Sequence, residues 1–480
     1  MMFNNSGEYR STTEDFQIRN RALGALVGQA VGDALGARYE FGPPGEISKQ
    51  FPKGVPCRHI GGGSFGWHLG EFTDDTQMAV LLGENLITRW NPVTQWELWK
   101  EWVQTAKDVG TTTRPPLVAR TYEESLTRRV RNGRGNGAVM RVAPVGIKGA
   151  MKDAQWTERV AREQAMITHT DPRTVEAAVI MAVALAEMVS GRCTFDSAMR
   201  LAVQNHCDSE IRTYFEELLF TDSLPFSESN GYGDICLAEA VYAIRKNTNF
   251  EDTIRYAIDG GNDTDTVACV AGALAGAWYG IQNIPARLTT PIHGFVQMNG
   301  KVERYDLEDL ESLATRLVEQ EWSPKSPDYN GVQRPVAIGG LYGQQVFVTN
   351  LAGARESDDN YACMSFCRTF GDTDHYEYRR SFYLLDEQQD EANPSIDSVV
   401  LDAIAEINEA LFSGRDVLIH CHAGESRTGL IAKAWLMSVM GYSHKEAHES
   451  LASKWKYYSP RNKAFVRYLD ELHADTLVVG

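Results

Sequence analysis

Two short acidic runs are the first places where this chain could do chemistry. One reads Gly260-Gly261-Asn262-Asp263-Thr264-Asp265-Thr266 and the other Glu71-Phe72-Thr73-Asp74-Asp75-Thr76-Gln77-Met78. Closely spaced carboxylates with hydroxyls beside them, on glycine-permitted turns, are the ligands that hard divalent cations prefer. The same residue types also cap helices, and each run does precede an apolar helical stretch. Two such runs point to one shared site, because adjacent carboxylates repel unless a cation neutralises them. Asp74, Asp75, Asp263 and Asp265, with the hydroxyls of Thr73 and Thr266, could hold two divalent cations.

A third place is His420-Cys421-His422-Ala423-Gly424-Glu425-Ser426-Arg427-Thr428-Gly429, between a strand-like run and a helix. Backbone N–H groups along such a loop, through His422, Gly424 and Ser426, make an anion site with the positive end of the helix. A thiol at its base, Cys421, is pushed toward the nucleophilic thiolate. Arg427 can fold back to hold two phosphate oxygens at once, and Thr428 can assist loss of the thiolate from a phosphocysteine. Glu425 is out of place, since a carboxylate there opposes a dianion; a protonated His422 would offset it. The plainer alternative is a buried cysteine at a strand end.

The N-terminal blocks resemble the ADP-ribosylglycohydrolase family. In order they are Gly32-Asp33-Ala34-Leu35-Gly36-Ala37 with Glu40, Thr73-Asp74-Asp75-Thr76, Gly135-Asn136-Gly137-Ala138-Val139-Met140-Arg141 with Pro144, Thr168-His169, and Gly261 to Thr266. The resemblance implies two Mg²⁺ (or Mn²⁺) ions on Thr73, Asp74, Asp75, Asp263, Asp265 and Thr266, with Glu40 orienting or gating. It implies cleavage of an α-linked ADP-ribosyl group through an oxocarbenium-like state. Gly135, Asn136 and Gly137 would meet the diphosphate. His169 is a substrate contact or a buried hydrogen-bonded histidine, and Tyr232 stacks on adenine or packs in the core. The C-terminal loop resembles the cysteine-based tyrosine and dual-specificity phosphatases, which use an aspartic acid upstream of the cysteine to protonate the leaving oxygen. Asp386, after the apolar run 382–385, is preferred to Asp390.

Positioning these groups takes more than one domain: 480 residues exceed a usual single core. Composition is globular, with 43% hydrophobic and 23% charged residues. A net charge of −17 argues against nucleic acid or an anionic membrane as the main partner. The N-terminus has no basic-then-apolar signal, the most apolar segments fall short of a membrane span, and the 8 cysteines form no paired framework. A cytoplasmic protein is expected, with Cys363 and Cys367 structural.

Residues 1–15 are polar. The Gly- and Ala-rich run from Arg19 predicts a helix lying very close to its neighbours, in an all-α core with hardly any strand-like alternation before residue 330. Helices are expected at 77–88, 93–108, 157–167, 173–190, 195–204, 211–220, 235–245 and 249–258. The Arg120, Arg128, Arg129, Arg131 and Arg134 stretch is a solvated face or an attraction for diphosphate. Pro and Ser punctuate a linker at 322–335, dividing an all-α domain (1–321) from a smaller α/β domain (336–480). There, strands are expected at 345–350, 378–385 and 416–420, and helices at 396–412, 428–440 and 444–456.

The expectation is a bifunctional hydrolase acting on an ADP-ribosylated and a phosphorylated substrate. The alternative is a module that binds ADP-ribose or phosphate, in which one domain is non-catalytic and regulates the other.

Overall fold

The computed structural model describes residues 13–224, 226–319 and 331–472. Among the described residues the chain forms two compact units, one built on Ile18–Ile284 with 291–319, the other on 331–472 together with Pro285–Thr290. Most of the expected linker, 322–330, and the polar residues 1–12 lie outside the described residues.

The larger unit is helical, and its geometry starts from small residues. On the helix Thr13–Gly36, Gly24, Gly28, Gly32 and Gly36 recur every fourth position and so share one face. Facing them on the helix Thr264–Tyr279 are Gly276, Gly272, Ala268 and Thr264, in reverse order. A Cβ built on Gly24, Gly28 or Gly32 would fall on the carbonyl oxygen of Gly276, Gly272 or Ala268. The two backbones therefore touch, and no side chain spaces them. Pro172–Val189, buried at 16 positions, is packed by Ala143–Gly149, Ala154–Met166, Phe195–His206 and Gly233–Lys246.

The expected helices appear with small shifts. Asp74–Thr88 begins three residues before 77 because Thr73 is already its N-cap. Pro92–Trp102 ends well short of 108, where the chain passes into turns. Hardly any strand was expected before residue 330, and one hairpin is found there. β1 (His293–Met298) and β2 (Lys301–Asp306) form an antiparallel hairpin. Its turn is Asn299-Gly300, both residues at positive φ, which is the strongest short hairpin signal a sequence carries. The hairpin serves the Glu71–Met78 run, since the Phe72 N–H donates to the His293 carbonyl at 2.9 Å and the His293 N–H to the Gly70 carbonyl at 3.0 Å.

The smaller unit is α/β. β3 (Val336–Leu341), β4 (Gln344–Asn350), β5 (Ala362–Ser365), β6 (Tyr378–Ser381) and β7 (Val417–Cys421) lie in the order β3-β4-β7-β5-β6. Only the β3–β4 pair is antiparallel. β7 is central and buried at every residue, as a strand covered on both faces should be. Helices Ile396–Phe412 and Ser426–Met440 pack beside it, so the loop after β7 opens at the carboxyl end of the sheet, where open α/β folds place ligands. β3 and β5 went unforeseen because their runs are short and glycine-broken or flanked by cysteines.

If backbone contact sets the larger unit's geometry, Gly28→Val must separate the two helices. A loss of about 3 kcal/mol or more is expected, and a fall of several degrees in the melting transition would show it.

Candidate active sites

The helix contact brings the two acidic runs together. Asp33, on the glycine-faced helix and fully buried, accepts from the Thr73 N–H at 3.0 Å and from the Thr76 N–H and hydroxyl at 3.1 and 2.6 Å. It thereby anchors the first turn of Asp74–Thr88 and satisfies its otherwise orphaned donors. Burial, eased by those bonds, raises the Asp33 carboxyl to about 6. Across the helix contact, the Thr266 hydroxyl donates to Asp75 Oδ1 at 3.5 Å. The Thr264 hydroxyl donates to the Gly36 carbonyl at 2.9 Å, which locks the start of its helix.

Capping does not account for the acids. The Asp263 side chain makes no cap bond to its own helix and accepts instead from Asn136 Nδ2 at 2.9 Å. Thr73 does cap, receiving the Asp75 N–H at 3.4 Å. Asp74, Asp75 and Asp265 are all buried. Burial first, then the other carboxylates, pushes each of them well above the ordinary range. The carboxylates felt by Asp74 include Asp108 and Glu40, and those felt by Asp75 include Asp33 and Asp74. Glu40 is raised to about 8 by burial and then by Asp108, Asp263 and Asp33. Its position follows from a backbone stitch: the Phe41 N–H donates to the Asn262 carbonyl at 2.6 Å, and the Asn262 N–H to the Gly42 carbonyl at 2.9 Å.

The donor set suits a hard divalent cation. Its oxygens are carboxylate and hydroxyl, and Asp75 Oδ2 and Glu40 Oε2 are buried without a hydrogen-bond partner. Among the described residues no three His, Cys, Asp or Glu side chains already converge into a cage. Sequence reasoning missed Asp33 as a positioning group although it lies in the quoted Gly32–Ala37 block. It missed Asp108 altogether, which no motif marks.

The loop around Asn136 meets the site from another side. Gly135 pairs in an isolated bridge with Tyr232, and the Asn136 N–H donates to the Gly231 carbonyl at 3.0 Å. The Tyr232 ring is exposed, with the Arg134 guanidinium 4.6 Å from its centre, so it is no core tyrosine. His169 is fully buried, close to Gly135 and Gly137. Its Nδ1 pairs with the Thr168 hydroxyl at 2.7 Å while its Nε2 has no partner. Burial and the nearby Arg141 push the ring well below its ordinary pKa, so it stays neutral. Arg141 is itself buried, bonded to Gln164 and Thr168 and seated 3.9 Å over the Trp99 ring.

In the smaller unit Cys421 is buried at the end of β7. Gly424 stands at φ 63, against Gln333 and the Thr349 backbone. Gln333 Nε2 donates to the Ala423 carbonyl at 2.8 Å, so the loop is held from behind. Arg427 is buried and its Nη1 donates to the Leu384 carbonyl at 3.2 Å. The Thr428 hydroxyl is buried with no partner. Asp386 reaches the loop, accepting from the Ser426 hydroxyl and from Asn462 Nδ2 at 2.9 Å. Asp390 faces solvent in an ion pair with Arg467 at 2.7 Å. Nothing in the sequence marked Gln333 or Asn462. His420 bonds Ser365 at 2.7 Å, and burial lowers its ring to about 3. His422 Nε2 is 3.0 Å from the Arg368 carbonyl.

Two family models match the chain. A family model described as ADP-ribosylglycohydrolase matches residues 14–327, and one described as dual specificity phosphatase, catalytic domain, matches residues 361–474. The ADP-ribosyl-[dinitrogen reductase] glycohydrolase of Rhodospirillum rubrum is 31% identical over 56% of this chain and 89% of its own length. An ADP-ribosylarginine hydrolase of Serratia proteamaculans is 30% identical over 55% and 73%. A solved structure described as an ADP-ribosylglycohydrolase-related protein complex aligns with a TM-score of 0.53 at 29% identity, over 64% of this chain and 99% of that one. Among the described residues no helix is long and apolar enough to cross a membrane.

Asp33 and Glu40 should separate in stability. Asp33→Ala strands buried donors and should cost about 2–4 kcal/mol in chemical denaturation. Glu40→Gln removes a charge that burial and its neighbours disfavour. In the metal-free protein a carboxyl raised from 4.5 to about 8 keeps its proton in the folded state after the unfolded state has lost it, so wild-type stability falls as pH climbs between those values, and the variant's stability relative to wild type should rise from about pH 5 to about pH 8 and level off above.

Proposed function

We propose, for a chain that belongs to the ADP-ribosylglycohydrolase family, that its larger unit releases ADP-ribose from an α-linked ADP-ribosylated acceptor. Cys421 of the smaller unit then hydrolyses phosphomonoesters through a phosphocysteine. One observation carries the first reading: the buried, mutually repelling carboxylates of Asp74, Asp75 and Asp265, with the Thr266 hydroxyl on Asp75 and an unpartnered oxygen beside it.

Thr73, Asp74, Asp75, Asp263, Asp265 and Thr266 would hold two Mg²⁺ (or Mn²⁺) ions. Such ions, when bound, polarise sugar hydroxyls and supply a nucleophilic water. The chain's own residues do the rest. Asn136 fixes Asp263, and the backbone N–H groups of Gly135 and Gly137, unlike that of Asn136, which the Gly231 carbonyl holds, would meet the diphosphate. Neutral His169 has an unused ring nitrogen beside that loop. The exposed Tyr232 ring, backed by Arg134, suits a flat base. Glu40, whose carboxyl burial and then the neighbouring carboxylates raise to about 8 in the metal-free chain, would orient or gate at this cluster. An arginine-linked acceptor is the first to test, on the name of the Serratia relative.

In the smaller unit Cys421 attacks phosphorus as the alcohol leaves. Asp386, held at the loop by Ser426 and Asn462, is placed to protonate the leaving oxygen, and Arg427 holds the equatorial oxygens. Thr428 offers its unpartnered hydroxyl to the departing sulfur when water splits the intermediate.

The test is release of free ADP-ribose from arginine-, serine-, phosphate- and nucleic-acid-linked substrates, with Mg²⁺ or chelator. Wild type should release it from the arginine-linked member only with metal, and Asp263→Asn should lose at least about a hundredfold in rate, the range expected when a metal ligand goes. No release from any member would return the larger unit to a binding role.

A further inference from the structure

We infer that Glu425 selects the phosphatase substrate: the site takes phosphopeptides in which Lys or Arg flanks the phosphorylated residue. The inference rests on the phosphatase reading above.

Glu425 is the last loop residue before the helix Ser426–Met440, with its backbone at φ −125 and ψ −91. Its carbonyl accepts the Gly429 N–H at 2.9 Å, which fixes the residue, but its side chain makes no cap bond. It is half-exposed, and among the described residues its carboxylate pairs with no cation. Basic residues of the loop, of the helix it opens and of the chain beyond have other partners. Lys433, on the same helix, is buried 3.0 Å from His444 Nε2. His422 Nε2 lies 3.0 Å from the Arg368 carbonyl, and Arg467 pairs with Asp390 at 2.7 Å. Arg427, inside the loop, is the residue that grips the phosphate itself. One residue on from Glu425, Ser426 holds the second carboxylate of the mouth, Asp386.

A dianion entering this loop therefore meets, on the loop that seats it, a carboxylate that no cation among the described residues neutralises. The loop N–H groups and Arg427 serve every phosphomonoester alike and give no discrimination. Glu425 does discriminate: a substrate carrying its own cation beside the phosphate converts the repulsion into an attraction, and an acid-flanked one doubles it. Because the mouth is open to water, the effect is modest and screened by salt.

The experiment compares kcat/KM of the full chain on matched phosphopeptides with Lys or Glu flanking the phosphoresidue, with p-nitrophenyl phosphate as a substrate lacking flanks. Wild type should favour the basic peptide by about tenfold at low ionic strength, and the ratio should shrink to within about threefold at 0.5 M salt. Glu425→Gln should narrow the low-salt ratio, and Glu425→Lys should invert it. The salt dependence of wild type stands even if a variant fails to fold. Equal rates on both peptides, or a preference that neither salt nor Glu425→Gln alters, would overturn the inference while leaving the phosphatase intact. No turnover of any phosphoester, including p-nitrophenyl phosphate, would overturn the phosphatase reading and this inference with it.

Discussion

The larger unit depends on one contact, the face-to-face approach of two helix backbones across Gly24, Gly28, Gly32 and Gly36 and their partners from Gly276 to Thr264. Small residues let the axes come closer than side chains normally allow. The functional consequence is local: the end of one helix meets the start of the other, so Asp33 and Asp265 share a neighbourhood although they are far apart in sequence. Asp33 then takes hold of Thr73 and Thr76 and draws the first turn of a third helix, with Asp74 and Asp75, into the same place.

Such a cluster is unfavourable as it stands. Buried like charges raise one another's pKa, and an acceptor oxygen without a donor forfeits the hydrogen bond it had in water. The structure holds Asp75 and Glu40 in this state because two of the surrounding helices pack backbone to backbone and the loops are tied by backbone bonds: Phe41 to Asn262, and Phe72 to His293. The smaller unit solves a related problem differently. There a single central strand delivers Cys421 to a loop held from behind by Gln333, and the charge that is concentrated is to be supplied by the substrate.

Much of this was legible in the sequence because helix periodicity, capping residues and ordered motifs are local. The Pro172–Val189 and Ile396–Phe412 helices fall where periodicity puts them, and both acidic runs stand at helix starts. What escaped was set by tertiary contact. β2 exposes four of its six residues and carries no alternation worth reading, although Asn299-Gly300 announced the turn. Asp108 joins the carboxylates only because the chain leaves its helix at Trp102 and turns back. Gln333 and Asn462 act through side-chain bonds to residues scores of positions away. The separation of Asp386 from Asp390 is of the same kind, since both lie on one acidic segment and only the packed loop tells which of them reaches Ser426.

The central claim, that the two acidic runs form one cation site, is tested most directly by calorimetric titration of the metal-free full chain with Mn²⁺. The account predicts two ions bound per chain, with binding lost or weakened at least about tenfold in both Asp75→Asn and Asp265→Asn, one from each run. Saturable binding that either substitution leaves untouched, or no binding by a folded wild-type chain, would contradict it.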